Sequence, residues 1–323
     1  RDRTRQTGLF LLSGKLSTYW RPEKAYFCLK TATSVRQPIS SLAFVSGFLR
    51  LVRVQNLLIL VLTQLLARIF LIGPHADWPR ILLEPAIWLL AFSTACIAAA
   101  GYIINDYFDI KIDLINKPDR VIIGRYLKRR VAMGTHQILS VIGCLIGLYI
   151  SKWVFVADVV AVSLLWSYSA WLKRQPFIGN LVVSLLTALS LIILAVYYRQ
   201  QADMLLIYAL FSFGISLVRE IIKDMQDIRG DARFGCRTLP IVWGPRRTKY
   251  LLYVLLGAFI ASLFVIASML DNNRLGWIFV LLLLPLAWLT YRLVVADTRR
   301  DFGYLSNLCK LIMLLGIVSM VWA

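Results

Sequence analysis

Residues 86–113 read AIWLLAFSTACIAAAGYIINDYFDIKID: an apolar run without a single charge up to Asn105, followed by Asp106, Asp109 and Asp113. A run of this length crosses a hydrocarbon core of roughly 30 Å as a helix. The bilayer interior cannot hydrogen-bond a bare backbone, which makes helix the form such an unbroken span takes. The same arrangement recurs at 204–231, MLLIYALFSFGISLVREIIKDMQDIRGD, so that D-x-x-D-I-(K/R)-x-D stands twice, 118 residues apart. The chain carries an internal repeat of an apolar span joined to a carboxylate cluster.

Outward from these two segments, apolar runs recur near 51–72, 86–104, 131–151, 154–172, 180–198, 204–222, 249–269, 276–296 and 305–323. With 59% hydrophobic residues and a mean hydropathy of +0.71, the chain is far more apolar than a soluble domain. These runs predict an all-α integral membrane protein, nine transmembrane helices around a central cavity capped by two aspartate-rich cytoplasmic loops. Residues 49–323 form the membrane domain. Residues 1–48 lack the pattern of a secretory signal and read as a partly amphipathic cytoplasmic extension, or as sequence upstream of the true start.

The net charge of +19 would suit a nucleic-acid partner, but the placement of the basic residues excludes that reading. Twenty lie in or beside the loops after the even-numbered spans and five, Arg68, Arg80, Lys152, Arg199 and Arg274, lie on the opposite side. That asymmetry orients the N-terminus and the aspartate segments toward the cytoplasm. The five cysteines have no paired spacing and there are two histidines, which excludes a disulfide framework, a zinc site and a haem site.

Of the 17 acidic residues, eight fall in the two loops after the second and sixth spans: Asp106, Asp109, Asp113, Asp119, Glu220, Asp224, Asp227 and Asp231. Spacing of i, i+3, i+7 puts the three carboxylates of each repeat on one face of a helix continuing out of the membrane. Like charges so close need compensation, and a bound cation supplies it. Oxygen donors alone, with the Asn105 amide, suit Mg²⁺ or Ca²⁺ rather than zinc or copper. Mg²⁺ keeps waters and shares its shell with phosphates, so two facing clusters would grip a diphosphate through bridging ions. Arg120, Arg125, Arg229, Arg233 and Arg237 follow or interrupt the clusters as candidate diphosphate partners. Asp158, near the start of the fourth span, is ascribed to the opposite loop.

Asn105-Asp106-x-x-Asp109-x-x-x-Asp113 resembles the first aspartate-rich motif of the UbiA superfamily of intramembrane prenyltransferases, and Asp224-x-x-Asp227-x-x-x-Asp231 resembles the second. Asn116-Lys-Pro-Asp-Arg120 and Tyr168-Ser-Ala-Trp-Leu-Lys173-Arg174 extend the resemblance, which covers roughly residues 50–323. It implies two Mg²⁺ ions held by Asp106, Asp109, Asp224 and Asp227, with Asn105, Asp113 and Asp231 completing the shells. It also implies that Arg120, Lys173, Lys223 and Arg229 neutralise a departing diphosphate. Tyr102, Tyr107, Tyr168 and Trp171 are candidates to shelter an allylic cation.

Within the superfamily, Arg219-Glu220-x-x-Lys223-Asp224 and Arg53-Val-Gln-Asn56 look most like the branch that prenylates geranylgeranylglyceryl phosphate to make ether lipids, although Val121-Ile-Ile-Gly124 departs from the usual Pro-x-Pro-Ser-Gly. The partners so implied are a prenyl diphosphate donor, a lipid-soluble acceptor and the surrounding membrane lipids. Arg53, Arg125 and Arg174 are candidates for the acceptor side, and Asn56, Asn105, Tyr168 and Arg229 are further candidates for substrate binding. Two alternatives stay open at this point: prenylation of an aromatic quinone or haem precursor, and membrane transport.

Overall fold

A computed structural model describes residues 41–73, 77–200, 202–269 and 273–323. The side chains of 41–44, Arg120 and Asn273 lie outside the described set, as does most of the expected N-terminal extension. Val45–Ala323 forms one compact unit. Among the described residues, nine helices are long and apolar enough to cross a membrane: α1 (Val54–Phe70), α2 (Pro85–Asn116), α3 (Arg129–Ile150), α4 (Lys152–Ala170), α5 (Ile178–Tyr198), α6 (Ala202–Arg233), α7 (Gly244–Met269), α8 (Asn273–Val295) and α9 (Arg299–Ser319). The chain is an integral, multi-pass membrane protein.

The repeat seen in the sequence is also a repeat of structure. α2 and α6 each have 32 residues, far longer than the roughly 20 needed to cross, and each is followed by a helical hairpin packed against it: α3–α4 after α2, α7–α8 after α6. The two long helices touch one another at the centre. Both aspartate segments are therefore the last turns of continuous helices, not loops. The change from apolar to charged residues marks where a helix leaves hydrocarbon, and nothing in Asp-x-x-Asp-Ile-Lys breaks the backbone hydrogen-bond ladder there.

Small residues let α2 sit deep in the bundle, since close helix approach in a membrane depends on them. A Cβ at Gly101 would stand 2.7 Å from Leu165 of α4, and one at Gly143 would stand 2.7 Å from Ile97 of α2. Asp158 does not belong to the opposite loop. It is 2% exposed, takes a 2.9 Å contact from Ser93 Oγ, and its carboxyl occupies the space that a Cβ on Gly147 would need. A side chain there overpacks the α3–α4 hairpin. Gly147→Ala is expected to destabilise the protein by about 1–3 kcal/mol, read as a lower Tm in detergent, whereas Gly257→Ala, where a Cβ meets open space, is expected to leave Tm unchanged.

Both ends of the bundle are pinned by polar contacts. At the end away from the aspartates, Glu84 joins Arg68 at 2.9 Å and accepts from Tyr198 Oη at 3.1 Å. At the aspartate end, Thr298 and Asp301 close a capping box that starts α9, satisfying orphan backbone donors.

Candidate active site

Three elements converge on the carboxylates of α2. Arg53 stands just before α1 with φ of 52°, a left-handed conformation that costs a non-glycine residue. The bend separates the short helix Ser41–Leu51 from α1 and turns the guanidinium to Asp106 at 2.8 Å, over the face of Tyr102 at 4.7 Å. Desolvation lowers the Arg53 pKa, but Asp106 and Tyr102 outweigh it and hold the group above its ordinary value. Asn56, one turn into α1, donates to Tyr102 Oη at 3.4 Å. From the segment after α4, Lys173 reaches Asp109 at 2.6 Å and Asn105 at 3.5 Å.

The second carboxylate set is bound to the first by the same kind of pairing. Lys117, immediately past the end of α2, meets Asp227 of α6 at 2.6 Å. Asn180, near the start of α5, donates to Asp224 at 2.8 Å. Asn116 clasps the two long helices directly. Its Nδ2 donates to the Asp227 carbonyl at 3.2 Å, and its Oδ1 accepts from the Gly230 amide at 3.1 Å. Arg299 of α9 donates to the Asn116 carbonyl. The two aspartate tiers are thus held in register by one buried amide.

Beneath the tiers lies a cavity of about 330 Å³, walled by α1, α2, α4, α5, α6 and α9. Its mouth is polar, with Asn56, Tyr102, Asn105, Tyr168, Arg219 and Glu220, and its depth is largely aliphatic, reaching Leu60, Ile97, Leu165, Leu189 and Ile193. From Tyr168 to Asp158, both lining α4, is ten residues, so the cavity runs about 15 Å into the membrane at the helical rise.

Most of the candidate residues gather here. Asp106, Asp109, Asp224 and Asp227 stand in the two tiers with Asn105, Lys173, Arg53 and Asn56, and Asp113 and Asp231 extend the tiers one turn outward. Lys223 faces Glu220 at 2.8 Å. Arg174 and Arg229 are exposed and outside the cavity lining, as is Arg125, which packs on Tyr126. Trp171 is 52% exposed and stands outside the lining too, leaving Tyr102 and Tyr168 as the rings of the mouth. The backbone of Arg120 ends the turn Pro118–Arg120. Lys117 and Asn180 join the site without a role assigned from sequence, and Arg219 and Glu220, quoted there for the resemblance, join it with no role of their own given. Glu220 and Arg219 carried a signal, since charges inside an apolar run mark function.

The donor set fits a hard divalent cation. Among the described residues no three carboxylates converge as a closed cage. Asp106, Asp109 and Asp227 instead face Arg53, Lys173 and Lys117, and Asp227 Oδ1 is buried without a partner. Oxygen donors that are aligned but not closed suit Mg²⁺, which keeps waters and substrate phosphates in its shell.

Comparison with known proteins places this geometry. The family model described as UbiA prenyltransferase family matches residues 60–304. A digeranylgeranylglyceryl phosphate synthase of Thermococcus kodakarensis is 34% identical over 224 residues, 69% of this chain and 76% of the relative. A solved structure concerned with digeranylgeranylglyceryl phosphate synthase superimposes with a TM-score of 0.64 at 23% identity, covering 86% of this chain and 97% of its own. A UbiA homolog from Archaeoglobus fulgidus bound to GPP and Mg²⁺ gives 0.60 at 18% identity, covering 85% and 99%. At these identities the structures speak for the fold, and the sequence matches speak for descent: the chain belongs to the UbiA prenyltransferase family.

Proposed function

We propose that this enzyme transfers a geranylgeranyl group from its diphosphate to the free hydroxyl of geranylgeranylglyceryl phosphate, with Mg²⁺ bound at the two aspartate tiers. The observation that carries the reading is the joining of the two carboxylate-bearing helix ends through Lys117, Asn116 and Asp227, beside a largely apolar cavity whose mouth holds Asn105 and Glu220. The acceptor follows from the relatives, because synthases of this ether lipid recur among the similar proteins.

Two ions, one at Asp106 and Asp109 and one at Asp224 and Asp227, would supply the charge neutralisation that a departing diphosphate needs. Lys173 and Lys117 already stand against those carboxylates and lie ready to donate to diphosphate oxygens. Arg229, exposed near the end of α6, stands on the outer side in this reading, and Arg120 keeps the role of a diphosphate partner that the resemblance implies. As the allylic C1–O bond breaks, Tyr102 and Tyr168 offer π-faces to the cation, and the aliphatic walls keep water from it. The acceptor hydroxyl oxygen then bonds to C1, and its proton passes to the released diphosphate. Asn56 and Arg53 hold the acceptor side of the mouth. The excess of basic residues at the aspartate end supports a cytoplasmic side for this end.

The test is to supply membranes holding the enzyme with labelled geranylgeranyl diphosphate and Mg²⁺, offering geranylgeranylglyceryl phosphate and 4-hydroxybenzoate separately. An ether-linked product from the first acceptor alone is expected. An aromatic product would keep the reaction and overturn the acceptor.

A further inference from the structure

A prenyl donor brings a long apolar tail that has to lie somewhere beneath its diphosphate, and the far end of the cavity carries polar groups that such a tail does not need. On α1 the lining goes no deeper than Thr63, and on α2 no deeper than Thr94. Along α2, Thr94 stands eleven residues from Asn105 at the mouth, about 16 Å at the helical rise. Directly behind this level is Gln64 of α1, 0% exposed. Its Nε2 donates to Thr94 Oγ1 at 3.2 Å and to the Ser190 carbonyl of α5 at 2.7 Å. One amide therefore ties three helices together across the bottom of the cavity. On α4 the same level holds Asp158, which lines the cavity, and Ser93 Oγ stands 2.9 Å from both Asp158 Oδ2 and the Gly143 carbonyl.

Two features separate this level from ordinary packing. Gln64 Oε1 is buried without a hydrogen-bond partner, a cost that an aliphatic side chain at the same position would avoid. What the amide contributes in return is its pair of Nε2 bonds, which fix α1, α2 and α5 at one height. Behind it the bundle is solid, with Ala67, Leu90 and Leu194 each 0% exposed in one apolar core. A hydrocarbon end that pushed past Thr94 would enter no free space and would break hydrogen bonds it cannot replace, and buried polar groups left unpaired are costly. The end of the cavity stops an apolar chain by shape and by polarity together.

We propose that Gln64 and Asp158, with Thr94 and Ser190 between them, form a floor that measures the prenyl tail of the donor and sets the chain length the enzyme accepts. This assignment rests on the prenyl-transfer reading above and adds to it the residues that select among allylic diphosphates. These residues stand far from the bond that breaks, so they act on which donor is used and not on the chemistry at the tiers.

The experiment measures kcat/KM for farnesyl, geranylgeranyl and geranylfarnesyl diphosphates with geranylgeranylglyceryl phosphate as acceptor, in the full chain reconstituted in vesicles, with Tm as the check on folding. Gln64→Ala opens the floor and is expected to raise use of the geranylfarnesyl donor relative to the geranylgeranyl donor about 10-fold, in the range that added methylene space in an apolar pocket confers. Asp158→Ala, which leaves the Ser93 hydroxyl its Gly143 acceptor, is expected to act in the same direction. Ala157→Leu, adding bulk from the cavity wall beside Asp158, is expected to do the opposite and lower use of the geranylgeranyl donor about 10-fold relative to the farnesyl donor. Because it fills open space, Ala157→Leu carries the test should the variants that empty the floor fail to fold. An unchanged order of donors in Ala157→Leu would overturn the floor and show that the tail leaves the cavity sideways into the bilayer, and equal losses with all three donors would overturn it as well. A native enzyme that makes no product from any of the three would overturn the prenyl-transfer reading instead.

Discussion

Exchange of Asp109 for alanine is expected to lower turnover about 10²–10³-fold, the range seen when one preorganised group that stabilises developing charge is removed, and Asp227→Ala is expected to match it. The two positions are equivalent in the repeat and in their surroundings. Each lies in the last turns of a long helix, and each faces one lysine at 2.6 Å, Lys173 for Asp109 and Lys117 for Asp227. Removing either carboxylate takes away a metal donor and strands an ammonium group in a partly buried place, Lys173 being 10% exposed. Uncompensated buried charge is expensive, so the variants suffer in stability as well as rate. Initial rates of geranylgeranyl transfer over a Mg²⁺ titration separate the two effects. Loss of a ligand moves the Mg²⁺ midpoint upward, whereas loss of stability alone lowers the active fraction at every Mg²⁺ concentration.

Gly230→Ala should be nearly as damaging, although Gly230 touches no substrate. Its Cβ would fall on the amide of Asn116, the side chain that joins the Asp227 carbonyl to the Gly230 amide. The added methyl expels that amide and breaks both bonds, each of which costs about 1–3 kcal/mol when a buried partner is left unmade. More important for activity, the two tiers lose the element that sets their spacing. A displacement of about 1 Å in a reacting arrangement costs on the order of 100-fold in rate, which is the loss expected in kcat. Asn116→Ala is the complementary change: it opens space instead of filling it, and is expected to reproduce the rate loss with a smaller drop in Tm. Activity retained in both variants would show that the clasp does not position the site.

The spans and both carboxylate sets were legible in the sequence because each depends on a local pattern. An uncharged run announces a crossing helix wherever it stands, and an i, i+3, i+7 set of aspartates shares a face whatever packs against it. The carboxylate spacing already put Asp106–Asp113 on a helix continuing out of the membrane, and the helix runs on to Asn116; where it ends was not legible, since the drop in hydropathy after Ile104 records only exit from hydrocarbon. Nor was the pairing of the carboxylates. Lys117 and Asp227 are 110 residues apart and Asn180 and Asp224 are 44 apart, and their meeting depends on which helices are neighbours. Asp158 misled for the related reason that its position near a helix start suggests solvent, while the packing of α2, α3 and α4 encloses it.

The facing of two carboxylate tiers across one diphosphate is the claim on which the rest depends. It is tested most directly by equilibrium binding of an unreactive thio-analogue of geranylgeranyl diphosphate to the purified protein, with Mg²⁺ titrated from zero, in the native chain and in Asp109→Asn and Asp227→Asn. The account predicts binding that requires Mg²⁺ and that loss of either tier alone weakens about 100-fold, as expected for groups that act on one bound anion together. Binding that is equally tight without Mg²⁺, or undiminished when one tier is lost, would contradict it.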